Sequence, residues 1–161
     1  MRREDFDILV AGPDNVWDEL WVEIYYNNDI PVFIIQEEIF YEAIFYRGDS
    51  DTMILPLDRL ITALQEAKVF LPGNEEAYME MYYTNCELFD STKKAYLDNC
   101  KIVETLLGEV DILHNGILLA KLSSKEGESI VSFYYHGEYI RLPLEALQYL
   151  LQEAKKLLLV N

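Results

Sequence analysis

The segment "LPLDRLITALQEAKVFL" at 55–71 returns at 142–158 as "LPLEALQYLLQEAKKLL". A chain of 161 residues that writes one amphipathic segment twice is restricted to folds that use both copies alike. Setting Pro56 on Pro143 gives an offset of 87 residues, at which "QEAK" 65–68 falls on "QEAK" 152–155, Leu60 on Leu147, Leu64 on Leu151 and Leu71 on Leu158. Extended towards the N-terminus, the match takes in "VEIYYNND" 22–29 and "VDILHNG" 110–116, with one extra residue assigned to the turn, where a hairpin tolerates it best. This reading puts Ile30 on Ile117, Ile34 on Lys121, Tyr41 on Glu128 and Phe45 on Ser132.

Each copy reads as strands followed by a helix. "LWVEIYY", "IPVFIIQ", "YEAIFY" and "TMIL" are rich in β-branched and aromatic residues, and "NND" supplies the turn. Their counterparts are "EVDIL", "ILLAKL", "SIVSFYY" and "EYIRL". In the helices, Leu60, Ile61, Leu64, Ala67 and Leu71, and likewise Leu147, Leu150, Leu151, Ala154 and Leu158, form one buried stripe. Pro56 and Pro143 suit the first helical turn, and Asp58 and Glu145 meet the positive end of the helix dipole. A sheet-plus-helix unit of about 50 residues buries too little to be secure alone, so two units sharing a core are expected. The expected fold class is α+β: one globular domain over 1–161, with two tandem antiparallel sheet-plus-helix repeats (βββ(β)α twice) at 20–71 and 108–158. The insert at 72–107 is expected to be helical. Within it, Asp90 or Ser91 would cap a helix carrying Ala95, Tyr96, Cys100, Val103 and Leu107, and 75–88 is read as helix despite its β-formers.

Composition bounds the function. Hydrophobic residues make up 51% of the chain, enough to bury a core, and no apolar run reaches the ~18–20 residues of a membrane helix. The opening "MRREDFDILVAGPDN" is too acidic for a secretory leader, so a cytoplasmic location is expected and no membrane partner. The net charge is −16, and residues 1–51 hold thirteen acidic residues against Arg2, Arg3 and Arg47, which is −13 + 3 = −10. Such a field disfavours nucleic acid and draws basic partners.

Nothing in the chain spells out catalysis or a cofactor. Cys86 and Cys100 lie fourteen residues apart and are read as reduced thiols, with His114 and His136 too few and too remote to complete a zinc site. His114 stands where Tyr26 stands in the first copy, and His136 lies in the turn "YHGEY". The acidic clusters at 36–38, 74–76 and 18–23 look solvated, and no glycine-rich phosphate loop or nucleophile motif occurs. No catalytic residue, cofactor or metal is therefore expected.

The second face of the first sheet carries more information. Strand alternation sends Val22 and Ile24 one way and Trp21, Glu23 and Tyr25 the other. With the alignment above, Trp21, Tyr25, Val32, Ile34, Tyr41 and Phe45 gather on a face opposite the helix, rimmed by Asp18, Glu19, Glu23 and Glu42, while the second copy is polar there. Either the insert or the N-terminal segment with Trp17 covers this face, or it is an apolar centre with a charged rim that binds protein. The pattern "LWVEIYYNNDIPVFIIQEE…LPLDRLITALQEAK" resembles small bacterial strand-strand-strand-helix domains, which occur among immunity proteins of polymorphic-toxin systems. The resemblance covers the two repeats and implies a cytoplasmic inhibitor that neutralises a toxin by binding it. The expected function is thus a non-enzymatic acidic module for a basic protein or toxin. Two alternatives stay open: a structural or regulatory homodimer joined through the aromatic face, and a small enzyme with a site between the repeats.

Overall fold

The computed structural model describes residues 6–11, 21–27, 29–37, 40–70, 75–106 and 108–160. Its first half runs β1 (Phe6–Ala11), β2 (Trp21–Tyr26), β3 (Asp29–Glu37), β4 (Phe40–Tyr46), β5 (Thr52–Pro56) and α1 (Leu57–Phe70). Helix α2 (Glu75–Leu97) follows. The second half runs β6 (Cys100–Leu106), β7 (Glu109–His114), β8 (Ile117–Lys125), β9 (Glu128–Tyr134), β10 (Tyr139–Pro143) and α3 (Leu144–Val160). The fold is α+β: the described residues form two antiparallel five-stranded sheets, ordered β1-β2-β3-β4-β10 and β5-β9-β8-β7-β6, with three helices.

The sheets are not built as the sequence suggests. Neither half keeps all its strands: β5 leaves the first half to pair with β9, and β10 leaves the second to pair with β4. Each sheet is therefore completed by the last strand of the other half. The exchange is fastened on the first sheet by Arg141 of β10, whose Nε and Nη2 donate to the Glu42 carboxylate of β4 at 2.9 and 2.6 Å. Where the two halves meet, the buried rings of Phe45 and Phe133 lie 4.5 Å apart between centroids.

The helices span both sheets. Helix α1 packs on β1, β2 and β9, and α3 packs on β4, β6 and β7. Leu60, Leu64 and Ala67 of α1 and Leu147, Leu150, Leu151, Ala154 and Leu158 of α3 are buried, as the stripe predicts, and Leu57 and Leu144, which the stripe does not include, are buried as well. The two helices run antiparallel, since the start of each meets the end of the other: Asp58 pairs with Lys155 at 2.7 Å and Glu145 with Lys68 at 4.0 Å. Pro56 and Pro143 are the last strand residues immediately before their helices, where a missing N–H is no loss.

The element bounds correct the alignment. Strands β2, β3 and β4 recur as β7, β8 and β9 with the same lengths at an offset of 88, whereas β5 and the start of α1 recur at 87. Asn27 and Asn115 take the same left-handed conformation, with φ of 51° and 53°, so the first turn holds no extra residue. The extra residue lies between β4 and β5, where 47–51 has five residues and 135–138 has four. Ile34 therefore corresponds to Leu122, Tyr41 to Ser129 and Phe45 to Phe133. A one-residue slip moves every side chain of a strand to the other face. The expected grouping of Val32, Ile34, Tyr41 and Phe45 with Trp21 and Tyr25 fails for that reason.

The insert also differs. Residues 75–88 are helical, as read, but Asp90 and Ser91 lie inside α2 rather than at a cap, and Cys100 and Val103 belong to strand β6. Asp98 and Asn99 close the helix: Asp98 N donates to Lys94 O, and Asn99 Nδ2 to Ala95 O. From there the chain alternates, with Cys100 and Ile102 against the core and Lys101 and Val103 exposed, a period of two and not of 3.6.

Candidate functional site

Pairing fixes which side chains share the outer face of the first sheet. Val22 faces Ile34 and Ile24 faces Val32, and all four are buried on the helix side with Ala43 and Phe45. The opposite side carries Leu9, Trp21, Glu23, Tyr25, Phe33, Ile35, Ile44, Tyr46 and Tyr139, with Glu42 and Arg141 at one side. Ile35 and Ile44 are buried in the middle, Trp21, Tyr25 and Phe33 are half-buried, and Leu9, Tyr46 and Tyr139 are about half exposed. The Phe33 ring meets Tyr46 edge-on at 5.4 Å, and Tyr46 lies 6.1 Å from Tyr139. These separations are those of interacting aromatic pairs.

Glu23 organises the exposed side of β2. Its two carboxylate oxygens accept from the Trp21 indole N–H at 3.1 Å and from the Tyr25 hydroxyl at 3.0 Å. One charged group thus holds two aromatic residues in fixed orientation. The hydrogen bond to Glu23 also raises the Tyr25 hydroxyl pKa, because the neighbouring carboxylate disfavours a phenolate.

Of the expected site residues, the structure brings together Trp21, Glu23 and Tyr25, with Glu42 of the expected rim on the same face. Ile34, Tyr41 and Phe45 are instead buried in the core, and burial pushes the Tyr41 hydroxyl pKa well above the usual range, because desolvation disfavours the phenolate. Asp18 and Glu19, like Trp17, lie outside the described residues. The sequence reading missed Phe33, Ile35 and Ile44, which correct strand parity would have supplied. It also missed Tyr139 and Arg141, which reach this face only because β10 crosses from the other half, a pairing with no local signal.

The second sheet has a different outer face. At the offset of 88, Trp21 becomes Glu109, Glu23 becomes Asp111, Phe33 becomes Lys121, Ile35 becomes Ser123 and Ile44 becomes Ser132. There the Lys121 ammonium sits 3.1 Å from Asp111 and 3.4 Å from Glu109, and the hydrogen bond to Asp111 raises its pKa. The polarity contrast between the two halves is therefore present: Lys121 and Ser132 carry it on the second sheet as the sequence alignment has them, but their counterparts on the first sheet are Phe33 and Ile44 rather than Ile34 and Phe45.

The histidines lie at a small pocket of about 320 Å³ beside β8 and β10. His114 stacks on Tyr96 of α2 at 4.2 Å, and burial lowers its pKa. His136 is exposed, with Nε2 2.9 Å from the Leu118 carbonyl. Both cysteines are free thiols, and among the described residues no cluster of three or more metal-type ligands forms. No helix among the described residues is long and apolar enough to cross a membrane. No protein-family model, curated protein or solved structure matches the chain.

Proposed function

We propose that this chain is a non-enzymatic acidic module that binds a basic partner protein on the outer face of its first sheet. The observation that carries the reading is the contrast at matched positions: Trp21, Phe33, Ile35 and Ile44 stand where the second sheet has Glu109, Lys121, Ser123 and Ser132. Apolar centres with Trp and Tyr anchors and an acidic border suit protein recognition. Glu23 supplies acid on the face itself, Glu42 being paired there with Arg141, and the face lies within a segment whose formal charge is −10. The most concrete form is an immunity protein that neutralises a toxin by covering it, as the sequence resemblance implies.

The test is co-expression with the product of the adjacent gene, followed by stopped-flow association at rising salt. A basic partner associates more slowly as salt shortens the reach of the field. Trp21→Ala with Tyr25→Ala is expected to weaken binding by about 2 kcal/mol or more. Unchanged affinity in that double variant overturns the assignment of the face. Sedimentation of the chain alone separates the homodimer reading, since two copies at −16 would associate no less readily, and more so if repulsion matters, when salt is added.

A further inference from the structure

The two halves place a pocket at the same position, and the two pockets differ in chemistry. Each is formed by the turn after β2 or β7, the end of β4 or β9, and the exchanged strand β5 or β10. In the second half the pocket is the small one, with His114, His136 and the α2 residue Tyr96 along its wall. Its counterpart measures about 590 Å³. Its apolar side is given by Met53 and Leu55, its aromatic side by Tyr26 and Tyr46, and its rim by Asp29 and Asp49.

The rim is built rather than loose. Arg47 N donates to Glu138 O and Tyr135 N to Asp51 O, both at 2.8 Å, so loop 47–51 is tied at each end to the other half. The Tyr135 hydroxyl donates to the Tyr46 carbonyl at 3.3 Å, and the Tyr26 ring packs on Phe6 at 4.8 Å. Arg47, also at the rim, is engaged by Asp51 at 2.5 Å. Among the described residues Asp29 and Asp49 make no ion pair. In the other pocket, Asp29 is replaced by Ile117 and Tyr26 by His114, and the shorter loop offers His136 and Gly137 in place of Asp49.

We propose that the larger pocket receives an arginine side chain of the partner, the apolar stem against Met53 and Leu55 and the guanidinium at the Tyr26 and Tyr46 rings and the two carboxylates. Arginine combines a planar cation that stacks on aromatic rings with donors that match carboxylates, and its stem prefers apolar surface. The pocket adjoins the outer face through Tyr46, which belongs to both. The proposal rests on the reading of the chain as a binder of a basic protein and names what that partner inserts.

The test titrates the full-length, isotope-labelled chain with N-acetyl-arginine methylamide, and separately with the citrulline and lysine counterparts. Saturable amide shifts at Asn27, Gly48 and Asp49 are expected with the arginine compound, at least about tenfold tighter than with neutral citrulline. Asp29→Asn with Asp49→Asn, both at exposed positions, is expected to remove about that tenfold while leaving the circular dichroism spectrum unchanged. Asn115 and Gly137 at the other pocket are expected not to move. Equal response to citrulline, shifts that never saturate, or equal movement of both pockets overturns the proposal. Lysine binding as tightly as arginine overturns the choice of arginine. If the aspartate variant binds the full partner normally while Trp21→Ala with Tyr25→Ala does not, the pocket assignment fails and the binding face stands. The reverse pattern retires the face and leaves the pocket.

Discussion

Phe45 and Trp21 look interchangeable in the sequence and do opposite work in the structure. Phe45 is fully buried against Phe133, so Phe45→Ala is expected to cost about 3–5 kcal/mol in urea unfolding, while Trp21→Ala, half-buried on the outer face, costs clearly less. Equal losses would return Phe45 to the surface group. Buried ionisable groups set a second expectation. Burial pushes the Cys100 thiol from 9.0 up to about 11 and the Tyr135 hydroxyl from 10.0 up to about 12, with Tyr41 and Tyr96 raised in the same direction. The folded chain keeps these protons beyond the pH at which the unfolded chain releases them. Their contribution is therefore complete below about pH 9 and is lost as pH rises through the folded values. A urea midpoint that falls steeply between pH 9 and 11 is expected, and a flat profile would contradict it. The same shift makes Cys100 slow to alkylate in the native state and prompt in denaturant.

At the scale of elements, the strands and the two repeated helices were legible because their signals are local: β-branched runs, Asn at turns, a leucine stripe. The strand parity was not, because it depended on where one residue was inserted. Asn27 and Asn115 show the correct register once their conformation is known, and that conformation is testable. Both sit at positive φ, which asparagine tolerates better than most side chains. Asn27→Ala and Asn115→Ala are each expected to cost about 1 kcal/mol, and glycine in their place to cost nothing or to stabilise slightly. Chemical denaturation of the four variants checks this, and alanine variants as stable as the parent would remove the argument for register. Strand β6 was misread for a related reason. "LDNCKIV" holds a helix stop at Asp98 and Asn99 and a period of two after it, but Tyr96, Cys100, Val103 and Leu107 also fit a helical stripe.

The whole-molecule feature that no local pattern announces is the exchange of β5 and β10. A separate sheet and helix in each half would let one half open while the other stayed folded. Here the loss of the first half removes β5 from the second sheet, exposes Phe133 and unseats α3, which packs on β4 as well as β7. The reciprocal ion pairs Asp58–Lys155 and Glu145–Lys68 tie the same two helices, though Asp58–Lys155 is largely exposed and worth at most ~1 kcal/mol. Burial is the stronger coupling. Leu142 of β10 is buried opposite Ala43 of β4, so Leu142→Ala removes core volume at the point where the second half enters the first sheet. Its expected cost is about 2–5 kcal/mol. The decisive readout is where that loss appears. Hydrogen exchange in the variant should accelerate by a common factor in the slowest amides of β2–β4 and of β7–β9, because both sheets open only in the global transition. Acceleration confined to the β4–β10 pair would mean that the halves open separately and that the exchanged strands do not bind them into one cooperative unit.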